Sequence, residues 1–144
     1  TYSTPTFEKG QFVAGPVEVD LYVSSSAADT DFTATLKDVY PDGTAYNLLE
    51  GIIRARYRDS FEDPSLMQPG KVYRVSIRLQ DTANHFGPGH RLRLELSSSN
   101  FPRFDRNLNT GGNNFDETTW ITAENTIYTG DKYPSHLSLQ VMEK

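Results

Sequence analysis

Apolar residues recur at every second position along most of this chain. In "PVEVDLYV", Val17, Val19, Leu21 and Val23 alternate with Glu18, Asp20 and Tyr22, the pattern of a strand with one buried face. The same alternation runs through "DFTATLKDV" (Phe32, Ala34, Leu36), "KVYRVSIRL" (Tyr73, Val75, Ile77, Leu79), "HRLRLEL" (Leu92, Leu94, Leu96) and "SHLSLQV" (Leu137, Leu139, Val141). With "YNLLEGIIRARYR" and "TWITAENTIYTG", about seven or eight strands are predicted. Punctuation between them is strong at Gly15-Pro16, "YPDGT", "QPGK" and "GPG", residues that supply fixed or positive φ. No stretch shows a helical period of useful length, although "DPSLMQPG" has room for one short turn. Many short strands joined by loops of uneven length predict an all-β fold, a β-sandwich with jelly-roll or Greek-key connections.

Size and composition narrow the picture. At 144 residues the chain fits one domain, which would expose roughly 7,500 Å² once folded. Neither an internal repeat nor a low-complexity linker divides it, so a single β-sandwich domain over residues 1–144 is expected. Fourteen basic residues stand against 19 acidic ones and are scattered rather than gathered in a stripe, so no nucleic-acid partner is expected. No apolar run approaches the length of a bilayer span. The lack of cysteine removes disulfides, thiolate metal sites and cysteine catalysis, and fits cytoplasmic and secreted compartments alike. The start at Thr1 reads as a processed or cut terminus.

Catalytic patterns are missing where they would be needed. The G-x-S-x-G turn that lifts a hydrolase serine out of an α/β sheet is absent. The serine runs at Ser24 to Ser26 and Ser97 to Ser99 each follow a strand, where hydroxyls satisfy the ends of a ladder. His85, His90 and His136 are isolated, placed in a loop, at the head of a strand and on the polar face of the last strand; they read as surface residues. "DRNLNTGGNNFD" imitates the oxygen spacing of a calcium loop, but Gly111 falls one place late and Asp116 stands where a bidentate Glu belongs. An EF-hand is rejected, a looser calcium site being the residual alternative, and no cofactor is expected. Trp120, Tyr128 and Tyr133 raise an independent carbohydrate-binding module as the competing reading, with Trp120 expected to be half-buried beside Ile121.

Several motifs in sequence carry a resemblance. "GPVEVDLYVSSSAADTDFTATLKDVYPDGTAYNLLEGIIRARYRDS" followed by "PGKVYRVSIRLQDTANHFGPGHRLRLELSSSNFPRFDRNLNTG" resembles the C-terminal domain of the X-Pro dipeptidyl-peptidase, cocaine esterase and α-amino-acid ester hydrolase family. The resemblance runs from about Gly15 to Val141. It implies a jelly-roll β-sandwich, galactose-binding-domain-like, that follows an α/β-hydrolase catalytic domain in one longer polypeptide. The Ser-His-Asp machinery of that family lies upstream, so no catalytic residue is carried over. Two departures stand out. The family's domain begins before "YSTPTF", so first strands are expected to be missing and an unpaired edge would favour a homo-oligomer. Thr129 and Gln140 occupy positions where the family often shows His and Pro.

The long aperiodic run after "LELSSS" holds the candidate site residues: Phe101, Arg103, Phe104, Asp105, Arg106, Asn107 and Asn109. Pro102 forces Phe101 into extended backbone, and Gly111 and Gly112 allow the chain to turn back. Arg103 and Arg106 are expected to fork onto Asp105, Asp116 or carbonyls, with Phe101 and Phe104 plugging the end of the sandwich. The loop therefore reads as internal bracing, or as part of a face turned toward the hydrolase domain.

Overall fold

A computed structural model describes residues 1–142. It contains β1 (Tyr2–Ser3), β2 (Gln11–Ser25), β3 (Asp31–Val39), β4 (Ala45–Arg54), β5 (Tyr73–Phe86), β6 (Arg91–Ser97), β7 (Asn125–Tyr128), β8 (His136–Ser138) and β9 (Val141–Met142), with one 3-10 turn at Ala55–Tyr57. One sheet has the order β1-β6-β3-β4; in the other, β2 pairs with β5 along one edge and with β7, β8 and β9 in turn. Every pairing is antiparallel. The fold is an all-β sandwich.

The period-two residues meet between the sheets. Val17, Val19, Leu21 and Val23, with Val75, Ile77 and Leu79 beside them on β5, face Phe32, Leu36, Leu92 and Leu94 of the other sheet in one core, all nearly inaccessible. Each such side chain contributes about 1.5–3 kcal/mol by leaving water. At Gly51 on β4 the two sheets approach closely. A Cβ there would lie 2.8 Å from the Arg78 carbonyl and 2.7 Å from Leu79 Cδ2, so only glycine lets the two backbones approach.

Bulges explain where alternation failed as a guide. β5 was expected to stop at Leu79, yet it runs to Phe86 and takes His85 into a strand. Across from it, Pro16 pairs with Asp81 but Glu18 pairs with Arg78, so β5 carries one extra residue. That residue is Gln80, at φ 80°, and the bulge reverses the phase: inward positions are odd up to Leu79 and even by Phe86. "SHLSLQV" is not one strand but two short ones, β8 against Glu18–Asp20 and β9 against Phe12–Val13. Between these contacts β2 passes Gly15 and Pro16, and proline has no N–H to donate to a ladder. Val141 is consequently half-exposed rather than core. "TWITAENTIYTG" forms a strand only from Asn125, and "DPSLMQPG" yields a tight turn at Pro69–Gly70 instead of a helical one.

Asp20, on the polar face of β2, is buried by its neighbours. Arg74 grips it through Nε at 3.2 Å and Nη2 at 3.0 Å, and the Ser76 hydroxyl donates to it. Burial pushes this carboxyl up, but the hydrogen bonds from Arg74 and Ser76 outweigh it and hold it below the usual aspartate range.

Two outcomes follow. Gly51→Ala should cost about 1–3 kcal/mol, read as a lower urea midpoint, because the added methyl meets backbone. The lowered carboxyl of Asp20 stabilises the fold above the ordinary aspartate pKa, and that stabilisation is lost as pH falls through the lower folded value. Asp20→Asn should therefore lose less stability between about pH 5 and about pH 2 than the parent sequence; an equal acid loss in both would show that Asp20 is not linked to folding.

Candidate functional site

Strand direction sorts the connections onto two ends. The 40–44 and 87–90 turns lie at one end, while 26–30, 55–72 and 98–124 lie at the other. The long loops are knit together by two buried carboxylates, Asp29 and Asp31, which are 0% and 1% exposed. Asp31 accepts from Arg54 Nε at 2.9 Å and Nη2 at 3.1 Å, a bidentate fork. Asp29 accepts from the Arg56 backbone N–H at 2.9 Å and from Arg56 Nε at 2.8 Å. Asn107 Nδ2 bridges both carboxylates, donating to Asp29 at 2.9 Å and to Asp31 at 2.8 Å.

Buried like charges are tolerable only when surrounded by donors, and here each loop supplies some. The local sequence dictates the geometry. Asp29 catches Arg56 as β4 ends, so "RARYR", expected to continue as strand, curls into the 3-10 turn, with Arg58 N–H donating to the Ala55 carbonyl. Hydrogen bonds to Asp31 hold the Arg54 guanidinium above its ordinary range. Arg56 Nη2 reaches across to the Gly112 carbonyl at 2.8 Å, which ties the glycine bend of the third loop to the first.

Asn107 also organises its own loop. Its Oδ1 accepts from the Asn109 backbone at 2.9 Å, and Asn109, at φ 63°, sends Nδ2 to the Ile121 carbonyl at 2.9 Å. Of the expected site residues, Asn107 and Asn109 thus brace the loop. The two arginines do so differently from expectation. Arg103 sits 3.7 Å from Glu50 rather than on Asp105 or Asp116, and Arg106 lies over the Phe101 ring at 4.0 Å. Phe101 does not plug the sandwich, being 51% exposed; with Phe104, Asp105 and Arg106 it lines a surface groove. Asp29, Asp31, Arg54 and Arg56 were not anticipated, because nothing local marks residues whose partners lie 23 to 78 positions away.

Nothing in this arrangement supplies a nucleophile. Ser25 Oγ accepts from the Ala27 N–H, Ser26 Oγ from the Glu124 N–H, and Ser24 shares a hydrogen bond with Tyr128. Among the described residues, no serine is hydrogen-bonded to an imidazole and no group of three acidic or histidine side chains could hold a metal ion. Trp120, expected to be half-buried, is 73% exposed on the loop end. Tyr128 and Tyr133 instead pack on each other at 5.2 Å, with Tyr133 5.6 Å from Tyr22; the three candidate sugar-stacking rings do not form one platform.

A β-sandwich whose charged groups are engaged in bracing defines a structural rather than a chemical module. Residues 1–138 match the model of the X-Pro dipeptidyl-peptidase C-terminal non-catalytic domain, and the chain belongs to that family. It is 47% identical over 145 aligned residues to the cocaine esterase of Rhodococcus sp. (strain MB1 Bresler), covering 99% of this chain and 25% of that protein. Among solved structures, an aminopeptidase from the marine sediment archaeon Thaumarchaeota archaeon superposes with TM-score 0.93 at 28% identity, over 99% of this chain and 25% of that one. An α-amino acid ester hydrolase superposes with TM-score 0.88 at 29% identity, over 98% of this chain and 25% of that one. The chain therefore spans about a quarter of the length of these relatives.

Asn107→Ala should leave both buried carboxylates short of a donor and lower stability by about 2–3 kcal/mol. Asn114→Ala, which removes an exposed contact to the Arg106 carbonyl and a long one of 3.4 Å from the Leu108 N–H, should stay within about 1 kcal/mol. Urea midpoints for the two variants check the ranking, and equal losses would remove Asn107 from its central place.

Proposed function

We propose that this chain is the C-terminal, catalytically silent accessory domain of a longer serine hydrolase acting on esters, amides or Xaa-Pro peptide bonds. On this reading the whole chain is one sandwich of jelly-roll, galactose-binding-like type, and an α/β-hydrolase domain in the same polypeptide performs the chemistry. The observation that carries the reading is the near full-length match to a non-catalytic domain family, joined to relatives of which this sequence makes up only 25%. The internal engagement of Ser24 to Ser26 and of the Asp29 and Asp31 carboxylates supports it. The loop residues Phe101, Arg103, Phe104, Asp105, Arg106, Asn107 and Asn109 act here as bracing and as part of the surface shown to the catalytic domain.

The test compares the purified chain with its parent polypeptide on a panel of aryl and acyl esters. No hydrolysis above buffer is expected from the chain alone, whereas the parent hydrolyses at least one ester and loses that activity faster on heating when this domain is deleted. Esterase activity that stays at constant specific activity through purification of the isolated chain would sink the proposal.

A further inference from the structure

The two ends of the sandwich treat their apolar side chains differently. At the short-turn end, Tyr40 packs against Tyr46 at 5.1 Å and on His90 at 4.1 Å, and the two tyrosines stay 40% and 56% exposed. At the long-loop end the three most exposed large apolar residues of the described chain stand together on two loops: Phe115 at 87%, Phe61 at 79% and Trp120 at 73%. Total exposed surface is 8770 Å², well above the roughly 7,500 Å² expected of a free-standing monomer of this mass. Exposed apolar surface gathered in one place marks an interaction face.

That face has a shape. A groove of about 740 Å³ runs between the 55–72 and 98–124 loops, walled by Tyr57, Phe61, Phe101, Phe104 and Phe115 with Arg54 and Asp31 at its floor. Through Arg106 and Leu108 it continues into a second concavity of about 380 Å³ beside Trp120 and Ile121. Its floor is held by the Asp31–Arg54 fork and by the Asn107 bridge, so the groove is preorganised. Arg106 sits over the Phe101 ring at 4.0 Å and has no carboxylate partner among the described residues, while Arg103 is mostly exposed. Aromatic walls with unpaired arginine at the rim are the composition of interface centres, which truncation studies find to dominate binding.

We infer that this groove is the docking seat for the catalytic domain of the same polypeptide, and that it takes an apolar side chain between Phe61, Phe101 and Phe115 with a carboxylate set against Arg106. The inference rests on the proposed function above and commits it to one face. Relatives carry about three quarters of their length outside the matched region, which supplies an occupant tethered in the same chain, and the unpaired Arg106 selects a carboxylate on it.

The experiment uses the full parent polypeptide, with hydrogen exchange and heat inactivation as readouts. Phe61→Ser combined with Phe115→Ser, and separately Arg106→Glu, should raise exchange in the 98–117 loop and in a patch of the catalytic domain. The same variants should shorten the half-life of hydrolase activity about tenfold. Peptides from β2 and β5 should keep their protection, showing that the sandwich stays folded. Tyr46→Ser, at the other end, should change none of these. Loop variants indistinguishable from Tyr46→Ser would overturn the inference. So would loop protection that rises with protein concentration and has no counterpart in the catalytic domain, since a second copy would then be the occupant. A parent of this chain's own mass, without hydrolase activity, would instead remove the reading on which the inference rests.

Discussion

Two aspartates in near-total burial set the conditions for everything at the loop end. Asp29 and Asp31 flank Thr30 at the turn into β3, and their carboxylates would repel and desolvate one another if left alone. What makes them tolerable is that every donor they receive comes from somewhere else in the chain: Arg54 and Arg56 where β4 ends, and Asn107 deep in the third loop. The charges thereby convert three separate connections into one body. Loop-closure entropy would otherwise let the 98–124 segment wander, and few apolar side chains in it are buried enough to oppose that. Polar bracing does the work that a hydrophobic core does elsewhere, with high directionality.

The sandwich beneath is built on the opposite principle. Its core is apolar, drawn mainly from β2, β3, β5 and β6 with Phe32 and Phe86 among its largest side chains, and the sheets approach closely at Gly51. β2 is the axis of this part, since it pairs along one edge with β5 and along the other with three short strands in succession. A strand so heavily paired is able to carry Gly15 and Pro16 in mid-course, because the bulge at Gln80 and the gap between β8 and β9 absorb the missing hydrogen bond.

Legibility divided along the same line. Period-two alternation identified β2 from Pro16 onward, β3, the first half of β5 and β6, together with their inward residues, because burial of one strand face is a local property written every second residue. It missed Gln11–Gly15, where Gly15-Pro16 reads as a break. It lost the second half of β5 at Gln80, where one extra residue reversed the phase, and it joined β8 to β9 because their alternation continues across a break in pairing. Asn107 and Asn109 could be singled out as loop residues but not assigned partners. Asp29 and Asp31 were passed over inside "SSSAADTDF" for the same reason: a carboxylate's role here depends on an arginine brought near by the fold, and spacing along the chain does not record that. Trp120 was misjudged because an aromatic next to isoleucine reads as core, whereas this pair sits on a loop that turns its apolar residues outward.

That outward turn is the point at which the two principles meet. A loop end stabilised by aliphatic packing would have to bury its Phe and Trp residues to stay ordered. Because Asp29, Asp31 and Asn107 already order the loops from below, Phe61, Phe115 and Trp120 are released from that duty and can stand in solvent without the loop collapsing around them. Rigid exposed aromatics lose little conformational entropy when a partner covers them. The buried charge cluster is then the condition for an interface as much as a device for stability. This also accounts for a domain without chemistry of its own whose most unusual polar groups are all turned inward, beneath a surface whose most unusual groups are all apolar.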